Sequence, residues 1–332
     1  MKKFLFKLLV CSILVVFVNS YSDDDAWNDY KLTHKKDYTG FFGGGWRDQM
    51  RKKLFLAEYA KIKEHNSGES PSYRRGLNKF SDMLPSEWSR YLGLNKAALV
   101  AARLKAGPTK FKVESRDVSP TLDLRYDICL PEVKDQGQCG SCWAFAAVAP
   151  LEFAQCKKDS TRVVLSERQL VDCDRLDGGC NGGMYTNAWT YMQNAGGSAK
   201  QTLYSPYNAR KNFCKFRSSM VGAQVSTFDF LPANNPLAMQ VAMEQHGLLA
   251  VAIAVVHSFL SFRGDVYDDN ACDDAEINHA VVVVGWGNLN GVDYWMVRNS
   301  WGTNWGLSGY IRIKRGVNKC GIESYPAYVV PA

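Results

Sequence analysis

The sequence contains a short segment that combines a reactive side chain with the start of a helix. Residues 136–143 read Gln-Gly-Gln-Cys-Gly-Ser-Cys-Trp, with small residues before Cys142 and helix-compatible residues after it. At a helix N-terminus, unpaired backbone N–H groups and the helix dipole favour a thiolate over a thiol. The pattern therefore predicts that Cys142 is a nucleophile, with the Gln136 side-chain amide nearby as a donor.

A base and a residue that could orient it follow later in the chain. His279 lies 137 residues after Cys142 and opens the apolar run 280–286, which predicts a rigid strand. None of the other histidines opens such a run; they are His34, His65, His246 and His257. Asn299 lies 157 residues after Cys142 and could bond the far ring nitrogen of His279.

These residue types suit hydrolysis through a covalent intermediate. A thiol near neutral pH is only slightly ionised, so it needs a base or an electropositive site. His279 would take the proton of Cys142 and later protonate the leaving amine. Asn299 would fix the tautomer and orientation of the imidazole without adding a charge.

Other functions of Cys139-x-x-Cys142 have weaker support. A thioredoxin-like redox pair would need a βαβ pattern around it and would leave His279 and Asn299 without a role. A zinc site would need a second paired motif, and neither Cys-x-x-Cys nor His-x-x-x-His recurs. A protein that had lost this activity and served only as a binding protein would be expected to lack the thiol, the imidazole or the amide.

The Cys-Gly-Ser-Cys-Trp string, with His279 and Asn299 downstream, resembles the papain family of cysteine proteases and in particular cathepsin L-like members. The resemblance runs from about residue 27 to about residue 326. It implies an α+β, two-lobed papain-like fold, with a helical lobe at about 129–228, a β-rich, barrel-like lobe at about 229–325, and termini that cross over. It also implies that Gln136 and the backbone N–H of Cys142 form the oxyanion hole.

The same resemblance implies the substrate-binding residues. Gly183 would pair with the main chain of the peptide, and Trp301 would shield the His279–Asn299 contact. The second specificity pocket and its surroundings would be formed by Met184, Ala252, Ile277, Asn278, Ala280 and, closing it, Tyr325. A tyrosine there predicts a shallow pocket that prefers Val or Leu to Phe. No paired-His blocking loop interrupts residues 180–214, which favours endopeptidase activity.

The cysteine count agrees with one free thiol. The sequence has ten cysteines, and residues 1–20 are predicted to be a secretory signal whose removal takes away Cys11. The remaining nine leave one unpaired, consistent with a reactive Cys142 and an oxidising compartment. The resemblance implies the pairs Cys139–Cys180, Cys173–Cys214 and Cys272–Cys320. Cys129 and Cys156 are predicted to pair with each other, the alternative being two buried free thiols.

The N-terminal part resembles an inhibitory prodomain, residues 21–117, followed by a mature enzyme, residues 118–332. Residues 76–82 read Gly-Leu-Asn-Lys-Phe-Ser-Asp and match the second prodomain motif completely. The first, helical motif departs at Arg47 and Glu58, where the family has Glu and Asn. One apolar helix face is predicted from Trp46, Met50, Leu54, Tyr59 and Ile62. Residues 105–117 are predicted to be an extended linker lying toward the cleft.

Two local features complete the expectations for the mature part. Ser166 and Gln169 predict a capping box at a helix start. Pro150 lies inside the predicted Cys142 helix, where it removes a backbone hydrogen bond, so a kink is expected.

Charge and composition restrict the partners. Residues 1–117 hold 22 Lys/Arg and 13 Asp/Glu, against 18 and 20 in residues 118–332, so the basic charge belongs to the prodomain and does not indicate nucleic-acid binding. We expect peptide and protein substrates, the prodomain as an intramolecular inhibitor, possible cystatin-type inhibitors, and a monomer without cofactor, metal or membrane span once the signal is removed. A lysosome-like or extracellular location is expected. Loss of charge at Asp82 and its acidic neighbours predicts self-processing at about pH 4–5.

Overall fold

The structure is a computed structural model that describes residues 22–38, 45–113 and 117–332, so the predicted signal at residues 1–20 lies outside the described residues. Its helices are α1 Asp23–Thr33, α2 Gly45–Ser67, α3 Pro85–Trp88, α4 Lys96–Ala106, α5 Cys142–Asp159, α6 Glu167–Cys173, α7 Tyr185–Ala195, α8 Pro236–His246 and α9 His257–Leu260. Its strands are β1 Tyr73–Arg75, β2 Leu122–Asp123, β3 Ser198–Ala199, β4 Val221–Ala223, β5 Val225–Phe230, β6 Leu249–Ile253, β7 Phe262–Asp265, β8 His279–Leu289, β9 Val292–Arg298, β10 Tyr310–Lys314 and β11 Ala327–Pro331.

One large antiparallel sheet forms the C-terminal lobe, in the order β10-β9-β8-β6-β11-β5, with β2 paired to β8. Strand β8 is buried from His279 to Gly287 because both faces of the sheet are covered. Ala280, Val282 and Val284 belong to the core shared with α5, whereas Val281 and Val283 belong to the core on the opposite face. This alternation of period two explains why the run is continuously apolar.

Helix α5 forms the centre of the helical lobe and is buried along most of its length. It runs unbroken from Cys142 to Asp159 with Pro150 inside it, so the predicted kink does not interrupt the helix. The disulfide Cys129–Cys156 ties its last turns to the preceding loop, with a Cα–Cα distance of 5.4 Å.

The predicted capping box on α6 forms only by half. The Ser166 hydroxyl accepts the N–H of Gln169 at 3.2 Å. The Gln169 side chain does not return to Ser166; its oxygen accepts the N–H of Ala199 at 2.6 Å, and its amide donates to Gly197 O at 3.3 Å. A tertiary contact has replaced the local one, because the short strand β3 needs a partner for its buried N–H.

The N-terminal region packs its own small aromatic core. Ala26, Trp27 and Tyr30 of α1 meet Phe55 of α2. The predicted apolar face of α2 is therefore partly wrong: Trp46 is 68 % exposed, and Phe55 takes the buried position. Helix α2 directs the face that carries Phe55 toward α1, and Trp46, in its first turn, lies outside that contact.

Strand pairing and an extended segment attach the N-terminal region to the rest of the protein. Strand β1 pairs antiparallel with β7 of the C-terminal lobe. The predicted linker is partly helical, because Lys105 and Ala106 end α4, whereas residues 107–113 belong to no helix or strand. After α4, the Lys110 N–H donates to Asp229 Oδ2 at 2.8 Å, and Phe111 packs on His246 and Tyr328. The cleft is crossed earlier, by residues 91–95.

Within the described ranges, no helix combines the length and the apolar character required to cross a membrane.

Candidate active site

The thiol of Cys142 lies at the first residue of α5, after the N-cap residue Ser141. The loop before it is fixed by the disulfide Cys139–Cys180 and by the bond from Gly140 N–H to Cys180 O at 2.9 Å. Backbone N–H groups of Cys142, Trp143 and Ala280 each act to lower the pKa of the thiol, which places them close to the sulfur. Since Ala280 follows His279 on β8, the thiol of one lobe lies beside the start of the central strand of the other.

The remaining cysteines of the described residues are all paired. The disulfides are Cys129–Cys156, Cys139–Cys180, Cys173–Cys214 and Cys272–Cys320. Among the described cysteines, Cys142 alone is free, and it is buried. Three of these pairs are the ones that the resemblance implied, and Cys129–Cys156 is the pair predicted in addition to them.

The imidazole of His279 is held by neighbouring strands. Strands β8 and β9 pair antiparallel, which brings His279 at the start of β8 close to Asn299 just after β9. His279 Nε2 lies 2.9 Å from Asn299 Oδ1. Because that oxygen can only accept, the proton of the neutral imidazole lies on Nε2 and Nδ1 is left basic. Nδ1 is buried and has no hydrogen-bond partner in the described part of the chain, so it is available to take a proton.

Aromatic rings cover the histidine. The Trp301 ring lies 4.9 Å from the His279 ring, and Trp301 is 1 % exposed. Phe80 of the N-terminal region meets Trp301 edge-on at 4.9 Å. The indole lies against the ring that bonds Asn299, and the N-terminal region docks on that same indole.

The amide of Gln136 is fully buried and its orientation is fixed. Ser300 Oγ donates to Gln136 Oε1 at 2.6 Å, which directs the amide nitrogen toward carbonyl groups. That nitrogen donates to Cys139 O and to Tyr91 O, each at 2.8 Å. Tyr91 belongs to the N-terminal region, so a carbonyl of that region already occupies the donor predicted for the oxyanion hole.

A five-residue stretch of the N-terminal region, residues 91–95, lies across the site, and we call it the cleft segment. Gly183 N–H donates to Gly93 O at 2.9 Å, and Asn95 N–H donates to Gly183 O at 3.0 Å. Leu94 N–H donates to Asn278 O at 3.1 Å. The N–H of Gly93 also acts to lower the pKa of the Cys142 thiol, which places the cleft segment close to the sulfur. The main chain of the cleft segment thus fills the positions predicted for a substrate.

The side chains predicted for the specificity pocket lie together. Met184, Ala252 and Ala280 are buried in one core cluster, and Ile277 and Tyr325 pack against it half-buried. Ala252 on β6 pairs with Ala280 on β8. Leu94 of the cleft segment packs against the same cluster.

Burial makes the two reactive groups neutral in this closed state. It raises the pKa of the Cys142 thiol to about 11. It also lowers the pKa of His279 to about 4, against a smaller opposing effect of Asn299. With the cleft segment in place, the charged pair has no access to water to solvate it. The closed chain therefore holds a thiol and a neutral imidazole.

Some residues of the site were not predicted. Ser300 follows Asn299 directly, so its position could have been a signal; its bond to Gln136 spans 164 residues and appears only in the folded chain. Tyr91 and Gly93 had no recognisable pattern, because they act through main-chain atoms. Among the described residues, no group of three or more His, Cys, Asp or Glu side chains is placed to hold a metal ion.

Comparison with known proteins agrees with this geometry. The description "Papain family cysteine protease" matches residues 118–330, and "Cathepsin propeptide inhibitor domain (I29)" matches residues 27–88. Cathepsin L of Sarcophaga peregrina is 36 % identical over 316 residues, which cover 92 % of each chain. Cathepsin S of Mus musculus is 36 % identical over 331 residues, covering 96 % of this chain and 94 % of that protein.

Solved structures share the whole arrangement. The digestive procathepsin L2 proteinase of Tenebrio molitor larval midgut superposes with a TM-score of 0.86 at 32 % identity, covering 93 % of this chain and all of that chain (100 %). Procathepsin L 3 of the same source gives a TM-score of 0.80 at 32 % identity, covering 93 % and 99 %. The predicted fold class is thereby confirmed, and the chain belongs to the papain family of cysteine proteases, with a propeptide inhibitor domain in front of the peptidase.

Proposed function

We propose that the chain is the zymogen of a cysteine endopeptidase, with a signal at residues 1–20, a prodomain at residues 21–117 and a mature enzyme at residues 118–332. The observation that carries the proposal is the peptide main chain of residues 91–95 in the cleft, bonded to Gly183, Asn278 and Gln136. Backbone hydrogen bonds are independent of side chains, so a cleft built this way accepts peptides of varied sequence.

The chemistry follows from the site once the prodomain has left. His279 Nδ1 takes the thiol proton, and the Cys142 sulfur attacks the carbonyl carbon of the peptide bond. The Gln136 amide and the Cys142 N–H stabilise the oxyanion. When the C–N bond breaks, His279 returns its proton to the amine, leaving a thioester. Water, deprotonated by His279, then attacks the thioester and releases the acid and the free thiol.

Tyr325 sets the depth of the second specificity pocket in this proposal. Its ring packs half-buried against the cluster that contains Met184 and Ala280. We expect peptides with Val or Leu at the second residue to be cleaved faster than those with Phe. In Tyr325→Ala, the ratio of kcat/KM for Phe over Val should rise about tenfold or more. If Phe is preferred already in the wild-type enzyme, Tyr325 does not close the pocket.

Partners and location are part of the same proposal. The prodomain is the intramolecular inhibitor, the active form is a monomer that acts on peptides and proteins, and cystatin-type inhibitors bind the open cleft. The enzyme acts in a lysosome-like compartment or outside the cell, consistent with its four disulfides. Self-processing is expected at about pH 4–5, where carboxylates begin to protonate; fastest maturation at neutral pH would contradict this.

The decisive experiment is titration with an epoxysuccinyl thiol inhibitor of the full chain matured in acid by added pepsin, because Cys142→Ala and His279→Ala cannot process themselves. Stoichiometric labelling of Cys142, loss of labelling in Cys142→Ala, and strongly slowed labelling in His279→Ala support the protease. His257→Ala is the matched control, because it removes another histidine of the same lobe outside the site. A protein that stays unlabelled and cleaves no peptide is an inactive binding relative. Labelling of Cys139 instead would indicate a thiol-exchange protein.

A further inference from the structure

Two acidic side chains lie directly beneath the turn that binds the peptide. Asp174 follows α6 and is fully buried, and Asp177, nearer Gly183, is 9 % exposed. Each carboxyl group affects the pKa of the other, which places the two side by side. Carboxylates are seldom buried without a cation, so this contact requires an explanation.

The hydrogen bonds around the pair leave one oxygen of each carboxyl group without a donor. Asp174 Oδ1 accepts the N–H of Leu176 at 2.8 Å, and Asp177 Oδ1 accepts the N–H of Met184 at 3.1 Å and the Asn187 amide at 3.0 Å. The Oδ2 atoms of both are buried and have no donor elsewhere in the described ranges. Ionised carboxylates only accept, so a bond between them needs one proton that the two share.

Asp177 also determines where the peptide-binding turn lies. Its bond to the Met184 N–H fixes the residue after Gly183. A Cβ atom on Gly183 would lie 2.7 Å from the Asp177 side chain and 2.6 Å from Trp143, so Gly183 rests on both side chains. Displacement of the Asp177 carboxyl therefore displaces the N–H and C=O of Gly183 that bond a peptide.

We propose that Asp174 and Asp177 are positioning residues for substrate binding, and that their shared proton keeps Gly183 in place. With the proton on Asp174, that carboxyl donates to Asp177. When the proton is lost, two like charges repel each other beneath the turn, and peptide binding weakens. The inference rests on the proposed function, because it takes Gly183 as the partner of the substrate main chain.

Burial raises the pKa of both carboxyl groups toward neutral pH. Burial, and then the charge of Asp177, raise the pKa of Asp174 to about 7. Burial raises the pKa of Asp177 to about 6, opposed by the bonds from Asn187 and Met184. The other groups that interact with the pair are Lys211, which favours the ionised form of Asp174, and Tyr191 of α7. Asp172 of α6 lies two residues before Asp174, and its carboxylate is bound by Arg168. The folded state favours the protonated pair. The contribution of the shared proton to the position of Gly183 is therefore present in acid and is lost as pH rises through about 6–7.

The test uses the acid-processed enzyme and the variant Asp174→Asn, whose amide is a permanent donor to Asp177. KM and kcat for a peptide substrate are measured from about pH 5 to pH 8, together with the rate of Cys142 alkylation by iodoacetamide, which does not need Gly183. We expect the wild-type KM to rise about tenfold more than the Asp174→Asn KM over this range, a loss equivalent to one buried hydrogen bond. Alkylation of the two proteins should follow the same pH profile. Asp274→Asn, an exposed acid, is the control and should match the wild type.

A KM that depends on pH equally in wild type and Asp174→Asn overturns the inference while leaving the protease intact. Absence of any peptide cleavage counts against the proposed function instead. Infrared difference spectra of the full-length zymogen, wild type against Asp177→Asn, give a second measurement that needs no activation. A protonated-carboxyl band that persists in the wild type to about pH 6 and is missing from the variant supports the shared proton. If no such band exists, the proposal is wrong.

Discussion

Two parts of the prodomain keep the cleft closed by different means. The prodomain body, residues 22–88, contacts the mature enzyme through the pairing of β1 with β7 and through buried side chains: Phe80 packs on Trp301, and the Asn78 amide donates to Leu260 O at 2.7 Å. The cleft segment, residues 91–95, bonds Gly183 and Asn278 through its main chain. The side-chain contacts of the body are specific to this enzyme, whereas the cleft segment makes main-chain bonds that any peptide can make.

This difference implies that one part of the prodomain provides the affinity for the enzyme and the other part provides the inhibition. Main-chain bonds in the cleft exchange for bonds to water or to substrate, so their net contribution to stability is small. Buried side chains of the body have no such replacement when the contact opens. The body should therefore hold the cleft segment in place, and the segment should do the blocking. Variants that alter one part at a time test this division.

The largest effect is expected from Asp82→Ala in the body. The buried Asp82 carboxylate accepts from the Tyr30 hydroxyl at 2.9 Å, from Lys36 Nζ at 2.8 Å and from the Tyr38 hydroxyl. Removing it leaves the partly buried Lys36 ammonium without its counter-charge and takes an acceptor from both hydroxyls, although Lys36 and Tyr30 keep their bonds to the carbonyls of Lys79 and Asn78. We expect a cost of about 3–5 kcal/mol of the free energy of unfolding of the prodomain. Urea unfolding of the full chain and early labelling of Cys142 measure it. The exposed Glu69→Ala should change neither.

Protonation of His279 should open the cleft segment as the pH falls. Burial lowers the pKa of His279 to about 4 in the closed chain, so closure favours the neutral ring. This contribution is complete above the ordinary value of about 6.5 and is lost as pH falls toward about 4, by on the order of 100-fold in the closing equilibrium.

Hydrogen exchange of the Leu94 and Asn95 amides, corrected for intrinsic rates, measures this opening in full-length Cys142→Ser. The double variant with His279→Gln should show a much weaker dependence on pH. An unchanged slope would assign the opening to other titrating groups.

Gly93→Ala should break the cleft segment without touching the body. A Cβ atom on Gly93 would lie 2.0 Å from Gly140 O, which is a backbone atom and cannot turn aside. The clash should cost about 1–3 kcal/mol, and the labelling rate of Cys142 in the intact zymogen should rise by about 10- to 100-fold. Leu94→Ala is the control, because it keeps every main-chain bond; an equal effect would mean that side chains also do the blocking.

The smallest effects should come from single ion pairs between the prodomain and the mature enzyme. Glu58 is buried and bonds Arg75 at 2.9 Å and His257 at 2.6 Å; burial opposes ionisation, yet these two partners bring the pKa of Glu58 below its ordinary value. Glu58→Gln should speed acid activation by about tenfold, as expected for a hydrogen bond to a charged group. Lys96→Gln, which removes the exposed pair with Glu276, should change the rate by less than about threefold. Equal effects would remove the distinction between buried and exposed pairs.

The fold class and family were predictable because their signals are local. The helix start at Cys142 and the apolar run of β8 depend on neighbouring residues, and they appear in the structure where the sequence placed them. The predicted helix face around Trp46 and the capping role of Gln169 failed. Each depended on what the residue meets from distant parts of the chain.

The sequence by itself determined which residue types are available: one thiol outside the disulfides, one histidine on a central strand and an asparagine to orient it. The tertiary structure alone decided that Ser300 orients Gln136, that residues 91–95 lie across the cleft, and that the buried Asp177 carboxyl lies against Gly183. The reason is physical. Residue types and local patterns can be read from adjacent positions of the sequence. Main-chain bonds across the fold and the pKa of a buried carboxyl group depend on groups that only folding brings together.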